Sequence, residues 1–596
     1  MLAERFLHRP ASRPVEAAYH GGQTRSPAQQ PSVKHLHADV QQRQWREATL
    51  NSGPERSKRQ RVLTRSQVSQ TEQMFSRTAK KALDINLNPL WYGVIAEIGA
   101  GQEVARWFFR VGAAAGTIAK SVSAYDMTIS DAAYGAAARY VTRERVQAML
   151  DSEYLQCSLT LRKQRGDNTA FFAFADTVVA RAFGKKNECH GWLGIKFQAK
   201  PRQEANTIMV HCRMLDATAQ QQQEALGVLG VNIVHGALTH GSDHAAIINS
   251  LMDDLNRSRM EVDLIDFSGP LYKDVDNRFA ALRLVQKRFC DAALFNPQGE
   301  LQIPQDTLRK KNVMLVRGRF RPFTLLHNDM LMGAAQQFFC GPDQTYAGND
   351  QIFVSHDNDE CVYRDDTLVL LEMTTNDMME GGDLLDWTSD VGIQEDAFIQ
   401  RIEALSTMGY SVLISNMQRY FECAAYISTF TRESIVIALG VPSLQQLFKE
   451  SYYADLPGGI LEGFGRLLKF DLKIYAYPTL DSATGELLTA ASLKVDPSVQ
   501  KLYEYILDRG TIVSITDYDK ELLMHGDVSR EVGESIRQGT PYWEKLVPVH
   551  VRDQIKSLGL LGYRTFSTAP VTTNGLPSHT NGHISAPVSA QEKARA

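Results

Sequence analysis

The sequence lacks long apolar runs and lacks an excess of basic residues. No apolar run reaches the roughly eighteen residues that a membrane-spanning helix needs, and the formal net charge of -4 lacks the basic excess of a general nucleic-acid binder. A membrane-spanning protein and a nucleic-acid-packaging protein are therefore both unexpected. What is present, 43% hydrophobic residues in a chain of 596, is enough for sizeable cores in two or more domains.

Paired cysteines are also missing. The seven cysteines are scattered and include no C-x-x-C pair; they stand at positions 157, 189, 212, 290, 340, 361 and 423. An odd, scattered set favours reduced thiols in an intracellular compartment over a disulfide framework or a zinc ribbon.

The two ends of the chain predict little packed structure. Residues 1–85 are rich in Arg, Gln, Ser and His, and only three acidic residues fall among the first forty-five. They lack the apolar segment of a secretory signal. Their composition suits two interpretations: a transit peptide for a chloroplast or mitochondrion, or a disordered extension of a cytoplasmic protein. A third interpretation is a nuclear localisation signal at residues 58–61. Residues 567–596, rich in Ser, Thr, Pro, Asn and His, predict a disordered tail.

The middle of the chain predicts an α/β protein with two folded parts. Residues 86–300 mix helices with alternating strands, which favours an α+β domain with a substantially antiparallel sheet. From 311 to 480, short apolar strands alternate with helices, the pattern of a doubly wound, Rossmann-like parallel sheet. Its predicted strands span 313–316, 367–373, 411–415, 434–439 and 472–477. Residues 481–566 are expected to form a helical C-terminal cap.

One segment joins a predicted strand to a predicted helix through a basic turn. After the strand at 313–316, Gly318 permits a tight turn and Thr324 can cap a helix that runs to about residue 339. Ligands of doubly wound sheets bind beyond the carboxyl ends of the strands, and a helix N-terminus attracts anions. The segment also carries three alternating arginines that we expect to clamp phosphate groups: Arg317, Arg319 and Arg321. A basic, solvated loop between two core elements is the alternative.

The same segment resembles the first signature of the nucleotidyltransferase superfamily, G-x-F-x-P-x-(H/T)-x-G-H. Five positions are in register: Gly318, Phe320, Pro322, Thr324 and His327. One position departs, because Leu326 stands where the family has a glycine that lets the nucleotide approach the backbone.

A second signature of that superfamily, I-S-S-T-x-x-R, is similar to the stretch that contains Ser428, Thr429 and Arg432. The resemblance implies that ATP binds with Mg²⁺ and that His327, supported by Thr324, donates a hydrogen bond to the α-phosphate. It also implies that the Ser, Thr and Arg of the second signature hold the leaving pyrophosphate. Helical periodicity in this stretch leaves the alternative that Ser428 and Thr429 simply end a helix.

Residues 86–563 as a whole are similar to a family of bacterial and algal proteins, through the stretches at 95–109, 123–127 and 453–466. Its members carry the name nicotinate-nucleotide adenylyltransferase, or sometimes TonB-dependent receptor. The first name implies transfer of an adenylyl group from ATP to nicotinic acid mononucleotide, a step of NAD biosynthesis, with release of pyrophosphate. The second conflicts with a sequence that lacks the many alternating strands and the export signal of an outer-membrane barrel.

Two other classes of function stay open. One is a non-catalytic nucleotide-binding or scaffold protein whose transferase site has decayed, as Leu326 indicates. The other is an enzyme of different chemistry in the 86–300 region, where charged residues stand in apolar surroundings and three histidines cluster. The residues concerned are Glu97, Glu103, Asp126, His235, His240 and His244. A nucleotide is the expected partner, nucleic acid and membranes are not, and the oligomeric state is left open.

Simpler interpretations exist for two of these groups. Glu103 and Arg106 stand three apart on a predicted helix, which favours an intrahelical ion pair. The adjacent pairs Cys189–His190 and His211–Cys212 lie on predicted strands, where neighbours point to opposite faces, so neither pair is expected to chelate a metal ion.

Overall fold

The computed structural model describes residues 76–563, apart from 100, 183, 185–187, 341–343, 349–351, 356–360, 376–394, 482 and 526. These residues belong to the second of two units into which the chain divides, Ser76–Ala596. The predicted tail at 567–596, and the predicted extension up to residue 75, lie outside the described residues. No helix in the described part is both long enough and apolar enough to cross a bilayer.

The first part of the fold contains one mixed sheet with helices on both faces. Its elements run in the order α1 (Arg77–Leu87), β1 (Trp91–Gly99), α2 (Glu103–Val111), β2 (Ile118–Ala124), α3 (Met127–Tyr134), α4 (Arg143–Arg165), β3 (Ala170–Val179), β4 (His190–Gln198), β5 (Ala205–Met214), α5 (Ala219–His240), α6 (His244–Ser250), β6 (Met260–Ser268) and α7 (Asn277–Gln286).

The strand order of this six-stranded sheet is β2-β1-β3-β4-β5-β6. Strand β1 runs parallel to both β2 and β3, and the remaining neighbours pair antiparallel. Helices α2 and α5 pack together on one face, and α4 packs on β3 and β4 from the other. The connection from β1 to β2 therefore passes over one face through α2, and the connection from β2 to β3 passes over the other through α3 and α4.

The second part contains the larger sheet. Its elements are β7 (Ala292–Phe295), β8 (Leu301–Gln302), α8 (Pro304–Thr307), β9 (Asn312–Arg317), α9 (Leu325–Phe339), β10 (Gln344–Gly348), β11 (Ile352–Ser355), β12 (Cys361–Tyr363), β13 (Thr367–Thr374), α10 (Glu395–Ser406), β14 (Ser411–Ser415), α11 (Tyr420–Phe430), β15 (Ile435–Gly440), α12 (Val441–Leu447), α13 (Gly459–Leu467), β16 (Leu472–Tyr477), β17 (Thr479–Leu480), β18 (Leu487–Leu488), α14 (Gln500–Asp508), β19 (Ile512–Ser514), α15 (Lys520–Leu523), α16 (Val528–Arg537) and α17 (Val549–Leu558).

Eight strands form this sheet, in the order β19-β16-β15-β9-β13-β14-β7-β8. The six from β19 to β14 are parallel, and β7 and β8 extend the sheet antiparallel. Strands that follow β9 in the chain lie on both of its sides, as in a doubly wound fold. The predicted α/β class with a Rossmann-like parallel sheet is thus confirmed.

The apolar run at the centre of the sheet explains its position. Residues 313–316 are fully buried, because helices cover both faces of β9. Continuous burial of this kind requires a run of apolar residues without alternation, which is what these four positions provide.

The structure differs from the predicted domain boundaries in three places. Helix α1 begins at Arg77, inside the predicted extension, and its Ala82 and Ile85 are buried in the first core. Strands β7 and β8 cross the boundary at 300 because they pair with the second sheet. Strand β19 lies beyond 480, in the region predicted as a helical cap, and still pairs with β16.

Candidate functional site

The turn after β9 begins at the carboxyl edge of the larger sheet. The Gly318 N–H donates to the Glu372 carbonyl, at 3.0 Å. A Cβ on Gly318 would stand 2.8 Å from a ring carbon of Phe320, so a larger residue here would have to displace that ring. Phe320 has a φ of 45° and is buried beside Phe323, with 5.6 Å between the two ring centroids. The turn is therefore folded around two aromatic rings.

Thr324 and His327 form the capped start of α9, as the capping prediction requires. Thr324 N donates to Nδ1 of His327 at 3.1 Å, and Thr324 Oγ1 lies 2.8 Å from the same nitrogen. Because Nδ1 accepts, the ring proton of the neutral imidazole resides on Nε2. Burial lowers the pKa of His327 to about 4, so the ring is neutral at pH 7 and offers one N–H donor.

Arg317, expected as a phosphate clamp, is bound within the protein. Its guanidinium donates to both carboxylate oxygens of Glu372 at 2.8 Å, and to the carbonyls of Met417 and Gln418. Glu372 is fully buried and also accepts a hydrogen bond from Ser415 at 2.6 Å. These contacts make the pair a buried structural link between β9, β13 and β14.

The other two arginines of the turn have different surroundings. Arg319 is exposed. Arg321 is partly buried and lines a cavity, and its Nε is buried without a hydrogen-bond partner among the described residues. Of the three expected clamps, Arg321 is the one that the structure directs into a cavity.

Ser428, Thr429 and Arg432 lie at the opposite edge of the sheet. The Ser428 and Thr429 hydroxyls donate to the carbonyl of Ala425, in the last turn of α11. The residue after α11, Thr431, contacts the chain just before β9: its Oγ1 donates to the Lys311 carbonyl at 2.8 Å. The length of β9, about 20 Å for six residues, therefore separates them from the capped start of α9. The structure brings Phe320, Thr324 and His327 together and does not bring the second set to them.

The cavity beside the turn has a volume of about 680 Å³. Residues 320–323 form one wall, and helices α10, α16 and α17 form the others. Four arginines line it, and no Asp or Glu occurs among its described lining residues; the arginines are Arg321, Arg401, Arg530 and Arg537. The α17 side is largely apolar: Val551, Ile555 and Leu558 line it together with the polar Gln554, and Leu561 follows beyond the helix. The space suits a ligand with several negative charges and an apolar part.

The cavity and His327 are neighbours. Phe320 and Phe323 line the cavity, and both rings contact the imidazole, with centroids 5.3 and 5.4 Å away. Asp527, the cap of α16, is close enough to act electrostatically on His327. Arg401, Arg530 and Arg537 were not predicted from the sequence. The only local signal was basic residues on two helices, which usually indicates a solvated face.

The charged residues singled out in the first part have structural partners. Glu97 accepts hydrogen bonds from the N–H groups of Gln102, Val104 and Ala105, at 2.7 to 3.1 Å, and so caps α2. Asp126 caps α3. The expected ion pair between Glu103 and Arg106 is present, at 2.9 Å.

The three histidines of the predicted cluster make two separate ring contacts. No group of three or more potential metal ligands is found among the described residues. His235 and His240 contact each other edge to face, and His244 contacts Phe267.

A buried carboxylate pair lies towards the carboxyl ends of β1 and β3 in the first sheet. Asp176 stands opposite Glu97 across β1 and β3, is fully buried, and has no side-chain hydrogen-bond partner for either carboxylate oxygen among the described residues. Burial, followed by the charge of Glu97, raises the pKa of Asp176 well above its usual value. Burial also raises the pKa of Glu97, but its three N–H donors oppose that rise, so Asp176 is the member of the pair that holds a proton more readily.

Three side chains on neighbouring strands form a second buried chain. Asp263 Oδ1 lies 2.6 Å from Nδ1 of His211, whose Nε2 lies 3.1 Å from Nδ1 of His190. Burial and the neighbouring His211 lower the pKa of His190 to about 4. His190 is therefore neutral at pH 7, with a proton on one ring nitrogen and a free acceptor on the other. Adjacent residues in the sequence gave no indication of this contact, because it runs across strands.

Comparison with known proteins gives only distant likenesses. No family model and no curated protein matches the chain. A nicotinic acid mononucleotide adenylyltransferase from Plasmodium falciparum, complexed with APC, is 11% identical over 43% of this chain and 98% of that one, with a TM-score of 0.23. A putative nicotinate-nucleotide adenylyltransferase from Vibrio parahaemolyticus is 15% identical over 42% and 95%, with a TM-score of 0.17. The competence/damage inducible protein CihA from Agrobacterium tumefaciens is 14% identical over 26% and 93%, with a TM-score of 0.21. Likenesses this weak carry no argument about function.

Proposed function

We propose that this protein binds a phosphate-bearing nucleotide in the arginine-lined cavity at the carboxyl edge of its Rossmann-like sheet, and that it does so without transferring a nucleotidyl group. The observation that carries the proposal is the buried Nε of Arg321, which has no acceptor among the described residues. A buried donor without a partner costs roughly 1–3 kcal/mol and indicates a missing acceptor.

The charge around this donor indicates what kind of acceptor is missing. Arg321, Arg401, Arg530 and Arg537 come from three separate elements and meet at one space. Arg530 also pairs with Glu534 at 2.9 Å, outside the lining. Converging arginines of this kind are typical of sites for phosphate and other oxyanions. The apolar α17 wall can take a nucleobase, and the volume lies in the usual range for small-ligand sites, about 300–1,000 Å³.

Adenylyl transfer to nicotinic acid mononucleotide, with ATP and Mg²⁺, is the second candidate. His327 favours it, because Thr324 contacts its Nδ1 and leaves Nε2–H as a donor that an α-phosphate could accept. Two observations weigh against it. Ser428, Thr429 and Arg432 lie about one strand length away, and Leu326 occupies the position of the family's glycine.

The first experiment measures binding by isothermal titration calorimetry. We expect ATP and ADP to bind the wild type and adenosine to bind far more weakly. Arg321→Ala and Arg401→Ala should each weaken ATP binding roughly tenfold to hundredfold, the loss expected for one or two charge-assisted hydrogen bonds. Arg319→Ala is the matched control, since Arg319 is a neighbouring arginine outside the lining. Equal losses in the control and in Arg321→Ala would refute the site.

The second experiment follows pyrophosphate release from ATP, Mg²⁺ and nicotinic acid mononucleotide. Binding without transfer predicts no release above that of a His327→Ala variant. Release that depends on His327 would replace the binding proposal with the transferase.

A further inference from the structure

A glycine interrupts the basic face of α16. The residues of α16 that line the arginine-rich cavity are Ser529, Arg530, Gly533 and Arg537. Their spacing keeps all of them on one face of the helix, since residues four apart are neighbours on a helical surface. Gly533 is the sixth of the ten residues of α16. It therefore lies inside the helix, and not at the end where glycine usually serves as a cap.

Neither packing nor backbone geometry accounts for a glycine at this position. A Cβ on Gly533 would have no described atom of another element within 4 Å, and the residue does not have a positive φ. Glycine destabilises a helix interior relative to alanine, because it loses more conformational entropy on folding. The described surroundings of Gly533 thus give no structural reason for a residue that makes α16 less stable.

The two arginines on either side of Gly533 place their guanidinium groups near it. Nε of Arg537 donates to the Gly533 carbonyl at 3.2 Å. Arg530 lies one turn before Gly533, and its Nε donates to Glu534 Oε1, on the next residue, at 2.9 Å. Each of these bonds uses Nε, which leaves the terminal nitrogens of both groups to contact an oxyanion above Gly533. A side chain at position 533 would fill the space between them.

We propose that the phosphate chain of the bound nucleotide crosses α16 at Gly533, between Arg530 and Arg537, and that the missing side chain allows this contact. The inference rests on the proposed function, because it places the ligand within the same cavity. A phosphate oxygen above the bare Cα of Gly533 can approach both guanidinium groups, which a methyl group at that position would prevent. The base of the nucleotide then lies on the α17 side.

Substitutions at Gly533 separate a role in binding from a role in folding. Gly533→Ala and Gly533→Leu each introduce a good helix former, so both should raise the melting temperature. In titration calorimetry of the full chain, Gly533→Ala should weaken ATP binding roughly tenfold and Gly533→Leu at least about a hundredfold, because the added atoms occupy the position of the phosphate. Inorganic triphosphate should lose affinity by the same factors.

Gly465→Ala is the matched control. Gly465 lies within α13, does not line the cavity, and a Cβ there also has no described atom within 4 Å. This variant should raise the melting temperature in the same way and keep the wild-type affinity for ATP.

Three results would overturn the inference. Wild-type affinity for ATP in both Gly533 variants would show that no ligand touches α16 there, although the nucleotide site would stand. A loss for ATP without a loss for inorganic triphosphate would show that the base, and not the phosphate chain, lies at Gly533. A wild type that binds neither ligand would refute the nucleotide site together with this inference.

Discussion

Replacing Asp176 with asparagine should stabilise the protein, and the gain should grow with pH. Asparagine has nearly the same shape but carries no titratable proton. The folded wild type keeps Asp176 protonated to a higher pH than the unfolded chain does, because burial and the charge of Glu97 raise its pKa well above the usual value of 3.8. The unfolded chain releases this proton above pH 4. Folding of the wild type must therefore take up a proton that the variant does not need.

The sign and size of the effect follow from proton linkage. A raised folded-state pKa means that the wild type has its full stability below pH 3.8 and loses it as the pH rises towards the folded-state pKa. The loss is about 1.4 kcal/mol per pH unit. Between pH 5 and the folded-state pKa, the difference in unfolding free energy between Asp176→Asn and the wild type should therefore grow in favour of the variant by about 1.4 kcal/mol per pH unit.

Urea unfolding at pH 5, 6 and 7, followed by circular dichroism, measures this difference. Asp84→Asn is the control, because Asp84 is exposed on α1 and its variant should track the wild type at every pH. A constant difference between Asp176→Asn and the wild type across this range would show that Asp176 does not hold the proton. A loss of stability that grows with pH would show the same.

Three further substitutions test the partners that the structure assigns. Glu97→Gln should lower the unfolding free energy by about 1–3 kcal/mol, because three N–H groups at the start of α2 lose a charged acceptor; chemical denaturation at pH 7 measures it. Glu372→Gln should cost about 3–5 kcal/mol, because it leaves the buried guanidinium of Arg317 without its counter-charge; a fall of only a few tenths in the same assay would contradict the pairing. Thr324→Ala should cost about 1 kcal/mol as a lost helix cap, whereas Thr324→Ser should be close to neutral; equal losses in calorimetric melting would remove the capping role.

The parts of the fold that sequence reasoning predicted well depend on local patterns. The buried run at 313–316 and the strand at 411–415 are short, apolar and bounded by turns, and each forms a parallel strand of the larger sheet. Thr324 caps α9 because a hydroxyl side chain can accept from N–H groups three residues ahead, a contact that needs no information from elsewhere in the chain.

The parts that sequence reasoning could not reach depend on distant partners. Arg317 looks like a phosphate ligand until Glu372, 55 residues away, is placed beside it. The cavity joins Arg321 to Arg401 and Arg530 only because α10 and α16 pack against the same turn. Asp176 and Glu97 meet by strand register, which no run of adjacent residues reveals.

The position of Ser428 and Thr429 could, however, have been predicted. In a doubly wound parallel sheet each helix starts at the carboxyl edge, where a strand ends, and returns to the amino edge, where the next strand starts. Helix α11 follows β14 and precedes β15, so its last turn must lie at the amino edge. The first signature, between the end of β9 and the start of α9, must lie at the carboxyl edge. Two signatures that meet on one nucleotide therefore cannot occupy these two places, whatever their residue match, and the basic site must be completed by other elements that reach the carboxyl edge, as α10 and α16 do.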